Sequence, residues 1–92
     1  MEISFDPAKR NWTLRERGLD FAQAMTVFFG ATIDIPDLRR DYGEPRINSV
    51  GHLGSRMVIV CWTPRGDTRH IISMRKANDR EKARYGQRFE EG

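Results

Sequence analysis

The stretch MVIVCWTPRGDTRHIISMRKANDREKARY, residues 57–85, decides the fold. From Met57 to Thr63 both alternating sets are apolar, Met57, Ile59 and Cys61 against Val58, Val60 and Trp62, which is the pattern of a central strand covered on two faces. Pro64-Arg65-Gly66-Asp67 supplies a tight turn, and Thr68 to Arg75 returns as a second strand. Residues two apart share a strand face, so the spacing predicts Arg69, Ile71, Ser73 and Arg75 on one side and His70, Ile72 and Met74 on the other. Ala77 to Glu91 reads as a helix entered at Asn78 or Asp79. On it Ala77, Glu81 and Tyr85 align at i, i+4 and i+8, Arg84 and Arg88 lie beside them, and Gly86 weakens the middle.

Toward the N-terminus, Arg46 to Gly51 gives a further strand, with Arg46, Asn48 and Val50 opposing Ile47 and Ser49, and Gly51-His52-Leu53-Gly54 reads as the turn after it. Thr32 to Ile35 alternates and stops at Pro36, and Asp37 to Pro45 is a charged loop around Tyr42-Gly43. Glu2 to Phe5 is a short strand. Asp6-Pro7, a capping residue before proline, starts a helix that runs to Arg17, directs Trp12 and Leu14 to the core and stops at Gly18. The capping box Asp20-Phe21-Ala22-Gln23 restarts helix, whose apolar stripe is Phe21, Ala24, Met25 and Phe28, and Gly30 ends it. The order β-α-α-β-β-β-β-α predicts an α+β domain, with two N-terminal helices and a C-terminal helix packed on one face of a mainly antiparallel sheet. Trp12, Phe21, Phe28, Phe29 and Trp62 all fall at core spacing.

At 92 residues the chain has room for one domain, expected to span residues 1–92. Its single cysteine, Cys61, closes no intramolecular disulfide and reads as a buried small hydrophobe. No zinc-ligand spacing or glycine-rich phosphate loop is present, so no metal or nucleotide cofactor is expected. With no signal pattern and no long apolar run, the expectation is a cytoplasmic protein that makes no membrane contact.

Charge divides along the chain. Residues 1–38 carry four basic and six acidic side chains, residues 39–92 twelve and seven, and 13 of the 16 cations are arginine. The arginine fork can donate two hydrogen bonds to one phosphate, so a polyanionic partner is favoured. Arg46, Arg69 and Arg75 would form a cationic floor if they share an uncovered sheet face; solvated edge arginines paired with Asp41, Glu44 or Asp67 are the alternative. Metal-free RNA cleavage needs a base for the 2′-hydroxyl, cations for the phosphorane and an acid for the leaving 5′-oxygen. Of the two histidines, His52 falls in a turn and His70 on the face opposite Arg69. Arginine, lysine, glutamate or tyrosine would then have to serve.

Several segments carry a family resemblance. Phe5 to Asn11 (FDPAKRN) resembles the F-x-W-D-x-x-K opening of BrnT toxins, and Arg17 to Phe28 (RGLDFAQAMTVF) resembles their K-H-G-[VI]-[ST]-F-E-E-A-x-x-V-F junction, with Arg17 where histidine is usual. Asp41 to Ile47 (DYGEPRI), followed by Gly51, is similar to their loop into strand. Arg69 to Tyr85 is similar to their R-x-I-S-A-R-x-A-x-x-x-E-x-x-x-Y ending. The resemblance implies a RelE-like fold, a ribonuclease that inhibits translation, and neutralisation by a BrnA antitoxin that reaches operator DNA and represses the operon with the toxin. It implies Lys9, Arg69, Arg75, Glu81 and Tyr85 as catalytic candidates; from their place in the basic half of the chain, Arg46, Lys76 and Arg84 are expected to bind the RNA. A non-catalytic nucleic-acid-binding or adaptor module of the same fold is the alternative.

Overall fold

In the computed structural model, which describes residues 1–91, the chain forms β1 (Glu2–Phe5), α1 (Pro7–Arg17), a 3-10 turn (Phe21–Gln23), α2 (Ala24–Phe29), β2 (Ile33–Pro36), β3 (Ile47–Leu53), β4 (Arg56–Arg65), β5 (Thr68–Lys76) and α3 (Asp79–Glu91). This is a mixed α+β arrangement of three helices and one five-stranded sheet, ordered β1-β5-β4-β3-β2. β2 through β5 pair antiparallel, whereas β1 lies parallel to the first half of β5, from Glu2 opposite Thr68 to Phe5 opposite Ile71. Both hairpins use two-residue loops with glycine first, Gly54 at φ 64° and Gly66 at φ 61°, the left-handed geometry that matches strand twist.

The turn after β3 therefore starts later than the glycine spacing suggested. Gly51 lies within β3 opposite Val58, where α2 crosses so closely that a Cβ would sit 2.7 Å from the Val27 side chain. His52 is likewise a strand residue, its ring edge-on to Phe89 at 4.8 Å. The two N-terminal helices are also altered, because Asp20 caps a 3-10 turn through the Ala22 amide and α2 begins only at Ala24. Arg10 clamps α1 to this turn by a two-point ion pair with Asp20, both contacts 2.9 Å.

Two cores form, one on each face of the sheet. Leu19, Phe21, Ala24, Val27 and Phe28 pack on Val58, Val60, Trp62, Ile71 and Met74. On the opposite face Val50, Met57, Ile59 and Ala77 meet Tyr85 and Phe89 of α3. The expectation that all helices share one face is corrected: Ala77, Tyr85 and Phe89 form a separate apolar seam, and it carries α3 to the other side. Trp12, Leu14 and Phe29 are corrections of the same kind. They are exposed, and Thr13 is the buried residue of α1.

Beneath Phe28 a short polar chain is fully satisfied: the Trp62 indole donates to Ser49 Oγ at 2.8 Å, and Ser49 donates to Asp34 at 2.7 Å. Among the described residues no helix is long and apolar enough to cross a membrane.

Candidate active site

The pairing of β5 with β4 slips by one residue. Cys61 faces Ser73 but Trp62 faces Ile71, so Ile72 is an extra residue, a β-bulge. Before the bulge Arg69 points to the N-terminal helices, and after it Arg75 points to the α3 side. The expected cationic floor of Arg46, Arg69 and Arg75 is therefore corrected. Arg69 lies over the rings of Trp62 (4.3 Å) and Phe28 (4.6 Å), a cation-π clasp on the first core. Arg46 and Arg75 remain together on the other face.

There Arg39, Arg46 and Arg75 line a cavity of about 390 Å³ with Asp37, Asn48, Cys61, Ile72 and Ser73. Each arginine is held differently. The Arg75 guanidinium makes a two-point pair with Glu81, 2.7 and 2.8 Å. Glu81 also accepts from the Asn78 amide while Asn78 accepts from the Glu81 amide, a reciprocal cap that fixes the first turn of α3. Arg39 grips buried Asp37 at 2.9 Å twice, and the Tyr42 hydroxyl donates to the same carboxylate at 3.2 Å. Arg46 stacks on the Tyr42 ring at 3.9 Å and reaches Glu44 at 3.4 Å. The charged loop thus forms one wall, built from its own ion pairs.

The same pairs set the protonation states. The Arg39 guanidinium holds the Asp37 carboxyl well below its usual range. Arg75 likewise lowers Glu81 from its ordinary 4.5 to about 2, against burial, which acts upward. Because the folded value is the lower one, the pair's stabilisation is fully present above about pH 4.5 and is lost as pH falls through about 2. NMR titration of the Glu81 carboxyl should give a midpoint near 2, returning toward 4.5 in Arg75→Ala; a wild-type midpoint near 4.5 would show that the pair does not form.

Cys61, on β4, also lines the cavity, and its thiol is pushed up chiefly by burial, away from the thiolate form.

The bulge has a second effect, since His70 now faces the Arg75 side. Its Nδ1 lies 2.8 Å from Ser4 Oγ, and its pKa is lowered first by burial and then by Arg65 and Lys9, against Glu44 and Asp6. The sequence assigned His70 to the wrong side because a single inserted residue leaves no mark on strand periodicity. Lys9, on α1, lines a neighbouring cavity with Ser73. Tyr85 packs in the α3 seam. Arg84 lies near enough to Glu81 to help keep it ionised, and Lys76 lines a third cavity with Arg56 and Lys82. Arg46, Arg75 and Glu81 are thus brought together, Lys9 lies beside them, and Arg69 and Lys76 are apart. Arg39 was missed, and its signal was the Asp37–Arg39 spacing ahead of Tyr42. Among the described residues no three His, Cys, Asp or Glu side chains gather as a metal site.

No curated protein matches the chain. A family model described as the ribonuclease toxin BrnT of type II toxin-antitoxin systems matches residues 5–81, a span that includes Lys9, Arg39, Arg46, Arg75 and Glu81. The chain belongs to the BrnT family of ribonuclease toxins, and membership brings with it an antitoxin partner.

Proposed function

We propose that this toxin cleaves RNA without a metal ion at the cavity lined by Arg39, Arg46 and Arg75, and that the cleavage inhibits translation. The observation that carries the reading is three guanidinium groups on one cavity, one of them fixed by two hydrogen bonds to Glu81. Such an array supplies the positive charge that a phosphorane needs, already oriented before substrate arrives. Glu81, ionised and committed to Arg75, is a positioning residue. Proton transfer is assigned to the Lys9 and His70 side of the site: an uncharged imidazole takes the 2′-hydroxyl proton, O2′ attacks phosphorus, the bond to O5′ breaks, and the leaving oxygen takes a proton from Lys9. Tyr85 anchors α3. Arg84 and Lys76 steer the RNA from a distance, and Arg69 supports the fold.

The architecture is read as RelE-like, with N-terminal helices on one sheet face and the cationic cavity on the other. The partner is assigned as a BrnA-like antitoxin in the same cytoplasm, whose acidic or helical segment covers the cationic face and whose operator-bound complex represses the operon. Purified protein incubated with naked total RNA in EDTA is the test. Cleavage leaving 2′,3′-cyclic phosphate ends supports the proposal. Cleavage confined to translating ribosomes would make the activity ribosome-dependent, and no cleavage in either assay would leave a binding module.

A further inference from the structure

We propose that Trp12 is a stacking platform for a nucleobase of the same RNA strand whose phosphate occupies the arginine-lined cavity, an inference that rests on the RNA-cleaving reading above. Trp12 is 45% exposed whereas Trp62, the other tryptophan, is 7% exposed, so a large flat apolar surface is left open on α1.

Its place is set by the sheet. The pairing of β1 with β5 ends at Phe5 and Ile71, and α1 continues alongside the rest of β5, where Arg17 donates to the Met74 carbonyl at 3.0 Å. Between helix and strand lies a cavity of about 330 Å³ lined by Lys9, Trp12, Thr13, Arg17, Ile72 and Ser73. Ile72, the bulge residue, and Ser73 next to it also line the arginine cavity, so the two hollows adjoin across them. The Arg17 guanidinium lies 5.3 Å from the Trp12 ring centroid, and its bond to Met74 anchors the cation that steadies the indole.

An exposed indole between two cations, next to a hollow ringed by three more, suits a ligand that alternates anionic groups with flat aromatic ones. A single nucleic-acid strand has that chemistry, and base stacking on an aromatic side chain tolerates any base. An acidic protein segment would engage Lys9 and Arg17 but would have no comparable use for the ring.

The probe is a mixed-sequence 2′-O-methyl RNA octamer, which lacks the attacking hydroxyl and stays intact, with inorganic polyphosphate as the charge-only control. Because Trp62 is buried, the octamer should quench the Trp12 emission and polyphosphate should not. Trp12→Ala should weaken octamer binding by about tenfold, the amount one stacked base contributes, with an unchanged melting temperature, and Trp12→Phe should recover most of it. Equal octamer affinity of wild type and Trp12→Ala, or equal quenching by polyphosphate, overturns the platform and leaves the RNA reading standing. A wild type that binds no octamer and cleaves no RNA overturns both. Loss of antitoxin binding alone in Trp12→Ala would give the surface to the antitoxin and likewise overturn the platform.

Discussion

Arg75→Ala should lower kcat/KM for RNA cleavage by about 10²- to 10³-fold, the loss typical of removing one preorganised donor from a site of developing negative charge. The side chain reaches the cavity from the strand after the bulge, and Glu81 holds its fork by two short hydrogen bonds. Arg75→Lys should fall as well, because an ammonium cannot pair with Glu81 at two points and present the same face to phosphate. Arg69→Ala is the contrasting variant. Its guanidinium covers Trp62 and Phe28, so the loss should be about 1–2 kcal/mol of stability, with cleavage by the folded protein retained. Cleavage assays run beside thermal denaturation separate the two. Equal loss of cleavage in both variants at unchanged melting temperature would return Arg69 to the site and refute the division of labour between the faces.

That division marks where sequence reasoning ends. Local chemistry was legible: Asp6 accepts from the Ala8 amide ahead of Pro7, Gly18 closes α1 at φ 68°, and Gly66 opens the last hairpin. These features depend on residues a few positions apart, and their signals survive in a single chain. Period-two counting along β5, however, assumes an uninterrupted ladder, and Ile72 interrupts it. One unpaired residue reversed the relation of Arg69 and His70 to Arg75, and with it took Arg69 out of the expected cationic floor. Gly51 carried an ambiguous signal for a related reason. Glycine marks turns and close approaches alike, and only the crossing of Val27 over β3 shows which applies. The Arg75–Glu81 pair was visible in part, since the family ending spaces the two residues, but their contact depends on α3 folding back toward β5. Arg39 escaped because a loop arginine beside an aspartate looks like ordinary surface until the loop is seen to wall a cavity.

The double variant Tyr85→Ala/Phe89→Ala should release α3. This helix has no fully buried residue and packs on the sheet through Tyr85 and Phe89, which meet Val50, Met57, Ile59 and Ala77. A detached helix of 13 residues with Gly86 inside it is too short to persist alone in water. Since α1 has 11 residues and α2 has 6, melting α3 should remove roughly two-fifths of the far-ultraviolet helical signal. The core under the N-terminal helices shares no side chain with this seam, so the near-ultraviolet band of Trp62 should be kept. Glu81 would leave with the helix, and Arg75, no longer oriented, should lose much of its catalytic effect even though its charge remains. An unchanged helical signal would mean that the Arg75–Glu81 pair and the Asn78 cap suffice to hold the helix, and would shift the weight of the attachment from the apolar seam to the ionic one.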